Sequence, residues 1–230
     1  MFDFLGYGHL LVEGARMTIL AGMASLVVAM ALGLVAAMAK LSESGLARSL
    51  AGTYTTVIRG VPELVMLLLV FFGGTILLQK LWETFGSDEY VEVNAFFAGV
   101  GTIGFVYGAY ATEVFRGAIL AVPRGQLEAA RACGMSRGLV LRRILLPQMW
   151  RFAIPGLGNV WLVLLKTTSL MSVVGLDEIT RKAYIAAGAT KHHLKFYLAA
   201  ALVYLLLTLI SVVVMQQLER YANRGVRRSI

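Results

Sequence analysis

Charged side chains are scarce in this chain, at 15% of its 230 residues, whereas soluble domains carry about a quarter. The single cysteine, Cys133, excludes an internal disulfide and any metal site built from several cysteines. The sequence contains neither a G-x-x-x-x-G-K-[ST] phosphate-binding loop nor an H-E-x-x-H zinc motif. We therefore expect that this chain binds no cofactor itself and is not an enzyme.

Apolar side chains are abundant instead. They make up 58% of the sequence, and the mean hydropathy is +0.75. This composition predicts an all-α integral membrane protein with one domain, residues 1–230, in which Cys133 is a small buried residue. The net charge of +8 would suit nucleic-acid binding, but the basic residues flank apolar runs. That placement favours the cytoplasmic positive charge of membrane proteins, so no nucleic-acid partner is expected.

Five runs are long enough to cross a hydrocarbon core of about 30 Å as helices. Asp3 and Glu13 stand where a signal peptide would be basic, so we expect the first run to remain as an anchor. The second run is short unless it extends upstream past Arg59 and Glu63, and the fourth is continuous only through Lys166. The predicted spans cover residues 12–39, 53–79, 93–120, 152–176 and 196–219.

Basic loops predict an N-terminus outside and a C-terminus in the cytoplasm. The loop after the second span is acidic, as an external loop can be, with Glu83, Asp88, Glu89 and Glu92 against Lys80. The loop between the fourth and fifth spans fits poorly, because it carries Arg181, Lys182, Lys191 and Lys195 on the assigned outside. The cytoplasmic cations are Lys40, Arg48, Arg124, Arg131, Arg137, Arg142, Arg143, Arg151, Arg220, Arg224, Arg227 and Arg228.

A polar, arginine-bearing segment, residues 123–147, separates the third and fourth spans. Its pattern predicts a short helix over 126–133, with Glu128 in the first turn, where the helix dipole favours an anion. Gly134 suits the left-handed residue that ends a helix, and Ser136 suits the cap of a second helix over 137–146. Pro147 is expected to end or kink that second helix.

Two interpretations of the short helix remain open at this point. Ala129, Ala130 and Ala132 give it a small-residue surface that a groove on another protein can approach closely. Alternatively, the helix lies on anionic lipid and is held there by its arginines.

The segment Glu128-Ala129-Ala130, then Gly134, then Ile144-Leu145-Leu146-Pro147 resembles the EAA loop of bacterial ABC importer permeases. Arg59-Gly60-Val61-Pro62-Glu63 resembles a signature of the polar amino-acid uptake branch. The stretch from Tyr110 to Gly117, running on through residues 122–126, resembles the third-helix signature of that branch. With the acidic Glu63 after its proline, the Arg59-to-Glu63 stretch is most similar to that of the Q-type subunits of histidine, arginine/ornithine and octopine/nopaline systems.

This resemblance implies a type I ABC importer (MetI-like) transmembrane domain with a cytoplasmic coupling helix, in a bacterial inner membrane. It implies two cytoplasmic ATPase subunits that bind ATP and Mg²⁺, a periplasmic amino-acid-binding protein, and a second permease, expected to be similar but non-identical. The implied substrates are basic amino acids (histidine, arginine, ornithine, lysine) or a related opine. The implied ATPase contacts are Glu128, Ala129, Ala130 and Gly134.

Charges inside apolar spans are costly, so they pair with one another or face a watery cavity. Glu113 and Arg116 are three residues apart and suited to pairing, whereas Pro62 disturbs the helix between Arg59 and Glu63. We predict Glu63 as a carboxylate that favours basic substrates; the other reading is that such charges lock the bundle or snorkel. The candidate substrate-pathway residues are Glu63, Glu113, Arg59, Lys166, Thr168 and Ser169.

Two other function classes fit the sequence less well. An ion-coupled secondary transporter would use Glu63 and Glu113 as proton or sodium sites, but five spans without an inverted repeat disfavour it. A membrane-embedded enzyme finds no support in any nucleophile–base or metal constellation.

Overall fold

Helices make up the whole regular structure of the part that the computed structural model describes, residues 6–84 and 93–224. Asp3, Asp88, Glu89, Glu92, Arg227 and Arg228, which entered the topology prediction, lie outside the described residues. The helices are α1 (Gly8–Leu41), α2 (Gly45–Gly60), α3 (Glu63–Leu68), α4 (Gly74–Thr84), α5 (Ala95–Leu120), α6 (Arg124–Ala132), α7 (Arg137–Val140), α8 (Leu146–Thr167), α9 (Ile179–Thr190) and α10 (His193–Ala222).

Three short segments join some of these helices without a break. They are π-helical at Leu69–Gly73 and Leu141–Leu145, and 3₁₀-helical at Thr168–Val174. Five of the resulting stretches are long and apolar enough to cross a membrane, which confirms the predicted all-α membrane fold. These stretches are Gly8–Leu41, Glu63–Thr84, Ala95–Leu120, Arg137–Val174 and His193–Ala222.

Small residues let α1 and α5 pack almost backbone to backbone. A Cβ added to Gly33 would lie 2.6 Å from the Cβ of Ala111, and one added to Gly104 would lie 2.6 Å from the Cβ of Val28. Both distances are far below van der Waals contact, so only glycine fits at these positions. Residue numbers rise together along the two helices, which shows that α1 and α5 are parallel.

Helix α8 packs against α5 in the opposite direction. A Cβ on Gly156 would lie 2.7 Å from Val114 Cγ1, and further along α8 the hydroxyl of Thr167 is 2.6 Å from that of Tyr107. Gly104 and Gly156 therefore allow the close approach of α5 to its neighbours. Helices α1, α5 and α8 form the core, whereas α4 contributes no buried residue.

The second predicted span, residues 53–79, is interrupted at Pro62, where the sequence indicated a disturbed helix. Helix α2 ends at Gly60, Val61 is extended, and Pro62 caps the start of α3. A proline disfavours helical geometry in the residue before it, which places the break here. Helix α2 instead packs along α1 and α5, where the Tyr54 hydroxyl donates to the carbonyl of Phe105 at 2.6 Å.

Two cations of the basic loop after the fourth span, Arg181 and Lys182, form local ion pairs. Lys182 Nζ lies 3.4 Å from Glu13 and 3.2 Å from Asp177, and Arg181 Nε lies 3.5 Å from Asp177. Glu13 belongs to the first turns of α1, so the acidic residues at that end of the bundle balance these cations. This pairing gives a physical reason why a basic loop can lie on the side opposite the arginine-rich segment.

Candidate coupling helix and polar cavities

Helix α6 is the short helix predicted between the third and fourth spans, and it ends as predicted. Gly134 has a left-handed φ of 78°, its N–H bonds to Arg131 O at 2.9 Å, and the N–H of Met135 bonds to Ala130 O at 3.1 Å. This pair of bonds is the Schellman arrangement, which satisfies carbonyls that the helix itself leaves unpaired.

Helix α6 starts at Arg124, two residues earlier than predicted. Glu128 is therefore the fifth helical residue, and the expectation that it lies in the first turn is wrong. Cys133 is exposed, so its predicted burial is also wrong. The first error follows from the earlier start of the helix, which begins directly after Pro123.

The four predicted ATPase contacts do not share one exposed surface. Glu128, Ala129 and Gly134 are exposed, but Ala130 is only 7% exposed and faces the protein itself. A partner approaching α6 from outside would meet the first three side-chain positions and not that of Ala130.

Ser136 caps the next helix as predicted, because its Oγ accepts the N–H of Leu139 at 3.4 Å. The letters from Gly134 to Gly138 match the G-x-S-x-G pattern of a hydrolase nucleophile, but that motif requires a strand before the serine. Here a helix precedes it, so Ser136 is a cap.

Pro147 does not end the helix that contains it. The chain continues helically to Thr167, and the π-helical segment at Leu141–Leu145 comes immediately before the proline. Pro147 has no N–H to donate, and its ring crowds the preceding turn, so a locally widened turn is a natural accommodation.

A pair of side-chain amides links α6 to α8. Gln148 Nε2 donates to Gln126 Oε1 at 2.6 Å and to Ile144 O at 3.1 Å. The sequence offered no signal for this pair, since the two glutamines are 22 residues apart. The bond connects the start of the exposed helix to the fourth span.

Glu113 binds two cations at the same time. Its Oε2 accepts from Arg116 Nε at 2.9 Å, which confirms the predicted pair, and its Oε1 accepts from Lys40 Nζ at 2.5 Å. Lys40 lies in the last turn of α1, and its pairing was not predicted, because it joins residues 73 positions apart. Arg59 and Glu63 form no ion pair within the described residues, and Arg59 instead lies 5.1 Å from the ring centre of Tyr110.

A polar cavity of about 530 Å³ opens between α1, α2 and α5. It contains two of the predicted pathway residues, Arg59 and Glu113. We call it the Lys40–Arg59 cavity; its lining residues are Lys40, Thr55, Thr56, Arg59, Gly60, Tyr110 and Glu113.

A second cavity, of about 330 Å³, contains two others, Lys166 and Ser169. Thr168 is fully buried and donates to Leu165 O at 2.7 Å, and Glu63 is half-buried and lines neither cavity. The six predicted pathway residues are therefore not gathered into one site. The other lining residues of the second cavity are Thr180, Tyr197, Ala200, Ala201 and Tyr204.

Glu178 is a fully buried carboxylate that was not among the predicted site residues. It caps α9 by accepting the N–H of Arg181 at 2.9 Å, and it accepts the Tyr204 hydroxyl at 2.6 Å. Burial raises the pKa of the Glu178 carboxyl above its ordinary value, because the charged form loses water. Gly175, with φ 93°, ends the preceding 3₁₀ segment and was the available sequence signal that a new helix starts nearby.

Five apolar spans, a broken second span and an exposed helix between the third and fourth spans define an integral membrane transport subunit. The chain belongs to the family of binding-protein-dependent transport system inner membrane components, whose model matches residues 29–227. It is thus a permease component of an inner membrane transport system.

Curated relatives align over almost the whole chain. The nopaline transport system permease protein NocQ of Agrobacterium fabrum is 50% identical over 96% of this chain and 94% of its own length. The histidine/lysine/arginine/ornithine transport system permease protein HisQ of Escherichia coli is 42% identical, over 97% of this chain and 98% of its own length. Both are transport permeases, which fits a non-enzymatic role.

Solved structures share the fold. An amino acid ABC transporter crystallised with histidines has 32% identity and a TM-score of 0.80, over 96% of this chain and 99% of that chain. An inward-facing MetNI methionine ABC transporter has a TM-score of 0.77 over 97% of this chain and 100% of that chain. Its 16% identity supports the fold alone.

Proposed function

We propose that this chain is one of two permease subunits of an ATP-driven importer of basic amino acids or related opines. The observation that carries the proposal is the exposed, Schellman-terminated helix α6, in a chain 42–50% identical to permeases of a basic amino-acid and an opine system. An external binding protein delivers the substrate, and two cytoplasmic ATPase subunits bind ATP and Mg²⁺.

Helix α6 is the proposed point of contact with an ATPase subunit. Glu128, Ala129 and Gly134 are exposed for that contact, while Ala130 anchors the helix to its own bundle. When α6 moves, the hydrogen bond between Gln126 and Gln148 transmits that movement to α8. A bundle with two packing states, biased by nucleotide on a partner, is sufficient to alternate access to the two sides of the membrane.

The proposed orientation has the N-terminus outside and the C-terminus in the cytoplasm. It places Lys40, Arg48 and the arginines of residues 124–151 on the cytoplasmic side, as the positive-inside rule requires. The ion pairs of Lys182 with Glu13 and Asp177 support it, since they offset part of the positive charge of the one loop that opposes it.

Glu63 remains the proposed carboxylate for a basic substrate side chain. It is half-buried and directly follows the Pro62 break, where backbone groups are free of regular helix bonds. Uptake of arginine relative to a neutral amino acid should fall in Glu63→Gln, and unchanged selectivity would count against this role.

The function is tested by transport in proteoliposomes that contain this chain, its second permease and the ATPase, with the binding protein supplied. We expect arginine accumulation that requires ATP and stops with vanadate. Accumulation that ignores ATP and vanadate but collapses with a protonophore or on sodium removal would instead identify an ion-coupled transporter. Co-purification followed by mass spectrometry shows whether the second permease is a different chain, as we propose.

A further inference from the structure

An apolar groove follows α8 on the outside of the bundle, between α1 and α10. It consists of two adjoining cavities of about 190 and 280 Å³, and both are lined by Leu26 of α1 and Met215 of α10. None of the described residues that line it is charged, and Ser211 supplies the only hydroxyl group among them. We call it the Trp150–Trp161 groove, after the two tryptophans at its ends.

The groove lies on the lipid-facing side of α8. The polar residues Asn159 and Lys166 are exposed on a different side of this helix. Asn159 is two residues from Trp161, so the two side chains point about 200° apart around an α-helix. Polar side chains within a span face protein or water, whereas the exposed residues beside the groove, such as Val27 and Val213, are apolar. The groove side of the bundle therefore suits acyl chains.

The length of the groove matches one leaflet of a bilayer. Trp150 and Trp161 are eleven residues apart on α8, which is about 16 Å, or about half of a hydrocarbon core. Arg151 directly follows Trp150, and Leu218, which lines the same end from α10, comes two residues before Arg220. Charged residues on both helices place this end at the boundary of the hydrocarbon core. The groove thus extends from that boundary to about the middle of the membrane.

The end of α10 adds positive charge at this boundary. Tyr221 lies one turn after Leu218, and the guanidinium carbon of Arg224 lies 5.0 Å from the centre of the Tyr221 ring. This cation–π contact holds the Arg224 side chain next to the groove end. Arg220 adds a second cation and Glu219 one carboxylate, and neither arginine has an ion-pair partner within the described residues.

Helix α8 brings a third arginine to the same end. A Cβ on Gly158 would lie 3.3 Å from Met215 Sδ, so these residues mark the contact of α8 with α10. The two helices run in opposite directions, and two turns nearer the boundary α8 presents Arg151 where α10 presents Ala222. Three arginines against the carboxylate of Glu219 leave a net charge of +2 where a headgroup would lie.

We propose that the Trp150–Trp161 groove binds an acyl chain of an anionic phospholipid, and that Arg224 and Arg151 contact the phosphate group of this lipid. A guanidinium group donates two parallel hydrogen bonds to phosphate oxygens, and basic pockets between membrane helices bind anionic headgroups in this way. The site goes beyond the proposed transport function. Only its assignment to the cytoplasmic leaflet rests on the proposed orientation.

The groove contains its own reporters, because bromine on an acyl chain quenches the fluorescence of a tryptophan that it contacts. The purified transporter complex is reconstituted in phosphatidylcholine with increasing fractions of brominated phosphatidylglycerol or brominated phosphatidylcholine. The difference between the unaltered complex and Trp150→Phe/Trp161→Phe isolates the signal of the groove. We expect phosphatidylglycerol to bind at least about tenfold more tightly, since each arginine near the surface contributes about fivefold.

Arg224→Gln should lower this preference about fivefold, and Arg224→Gln/Arg151→Gln should abolish it. The control Arg48→Gln removes an exposed arginine of α2 and should leave it unchanged. Met215→Phe fills the groove where its two parts join and should reduce quenching by both lipids, whereas Met38→Phe, at an exposed position outside the groove, should not. Glycerol phosphate, which lacks acyl chains, should not compete. Size-exclusion elution verifies that each variant is assembled.

Equal binding of the two brominated lipids, or a preference for phosphatidylglycerol that survives Arg224→Gln/Arg151→Gln, overturns the inference. Absence of quenching by either lipid shows that protein covers the groove, such as the proposed second permease, and overturns it too. Both results leave the proposed function intact. ATP-driven arginine uptake is measured separately, and its absence beside an intact lipid preference contradicts the importer and not the lipid site.

Discussion

Lys40 Nζ lies 2.5 Å from Glu113 Oε1, so the last turn of α1 is tied to α5 by an ion pair between residues 73 positions apart. Both side chains are largely withdrawn from solvent, with 17% and 27% of their surfaces exposed. Such a pair stabilises the contact of the two helices only while both partners are present, because a remaining charge is left without compensation.

Removing one partner should therefore lower the free energy of unfolding more than removing both. We expect Glu113→Gln to lower the free energy of unfolding by about 2 kcal/mol, since it weakens two charge-assisted bonds. The double variant Lys40→Met/Glu113→Gln should recover part of that loss, which a double-mutant cycle on thermal unfolding of the purified complex measures. Lys80→Met, at an exposed position of α4, is the control, and strictly additive effects would contradict the prediction.

A second prediction compares two glycines of α5, Gly104 and Gly101, which lie within one turn of each other. Gly104→Ala places a Cβ 2.6 Å from that of Val28, whereas a Cβ on Gly101 meets nothing within 4 Å. Overpacking of this kind costs about 1–3 kcal/mol, so Gly104→Ala should lower the melting temperature of the complex. Gly101→Ala should leave it unchanged or raise it, and equal effects would show that close packing is not the reason.

These contacts also mark the limit of what the sequence could predict. Apolar run length located five spans, and the residue types of Gly134 and Ser136 predicted their roles at helix ends. The Lys40–Glu113 pair could not be foreseen, because it depends on α1 and α5 being parallel neighbours. The disturbance at Pro62 was expected from the sequence, but the sequence could not show that it places Arg59 at the end of α2 and Glu63 at the start of α3.

The sequence also could not reveal which polar residues within the spans are buried and which line a cavity. Lys166, Thr168 and Ser169 are close in the sequence. Thr168 is nevertheless buried and donates a hydrogen bond to the carbonyl of Leu165, while Lys166 and Ser169 line a cavity. A 3₁₀ segment begins at Thr168 and changes the direction of each following side chain. Spacing rules for an α-helix do not apply across that transition.

The end of α6 gives a third prediction, which concerns coupling. Gly134 has φ 78°, where a residue with a Cβ is strained by about 1–2 kcal/mol, whereas Gly138 has no such requirement. Gly134→Ala should reduce both ATPase affinity and ATP-driven uptake by about fivefold to thirtyfold. Gly138→Ala receives the same added methyl group and is the control, which should retain both ATPase affinity and uptake. Co-purification measures the affinity, and transport assays measure the uptake. If Gly134→Ala also retained both, α6 would not have the proposed coupling role.

A fourth prediction concerns pH. Burial raises the pKa of Glu178 above its ordinary value of 4.5, so the folded protein holds this proton over a range in which the unfolded chain has released it. Stability therefore falls as the pH rises from about 4.5 through the folded pKa. In Glu178→Gln the melting temperature should lack this decline, while the exposed Glu43→Gln should retain it; identical pH profiles for the two variants would contradict the assignment.

Helix α4 contributes no buried residue, and the outer span to which it belongs meets its own chain mainly through α3 and the segment before it. The position of α4 is consequently set by whatever surrounds the molecule, whether acyl chains or the proposed second permease. Bilayer thickness and subunit pairing thus act as external determinants of this part of the fold, and a change in either would be registered there before it reached α1, α5 and α8.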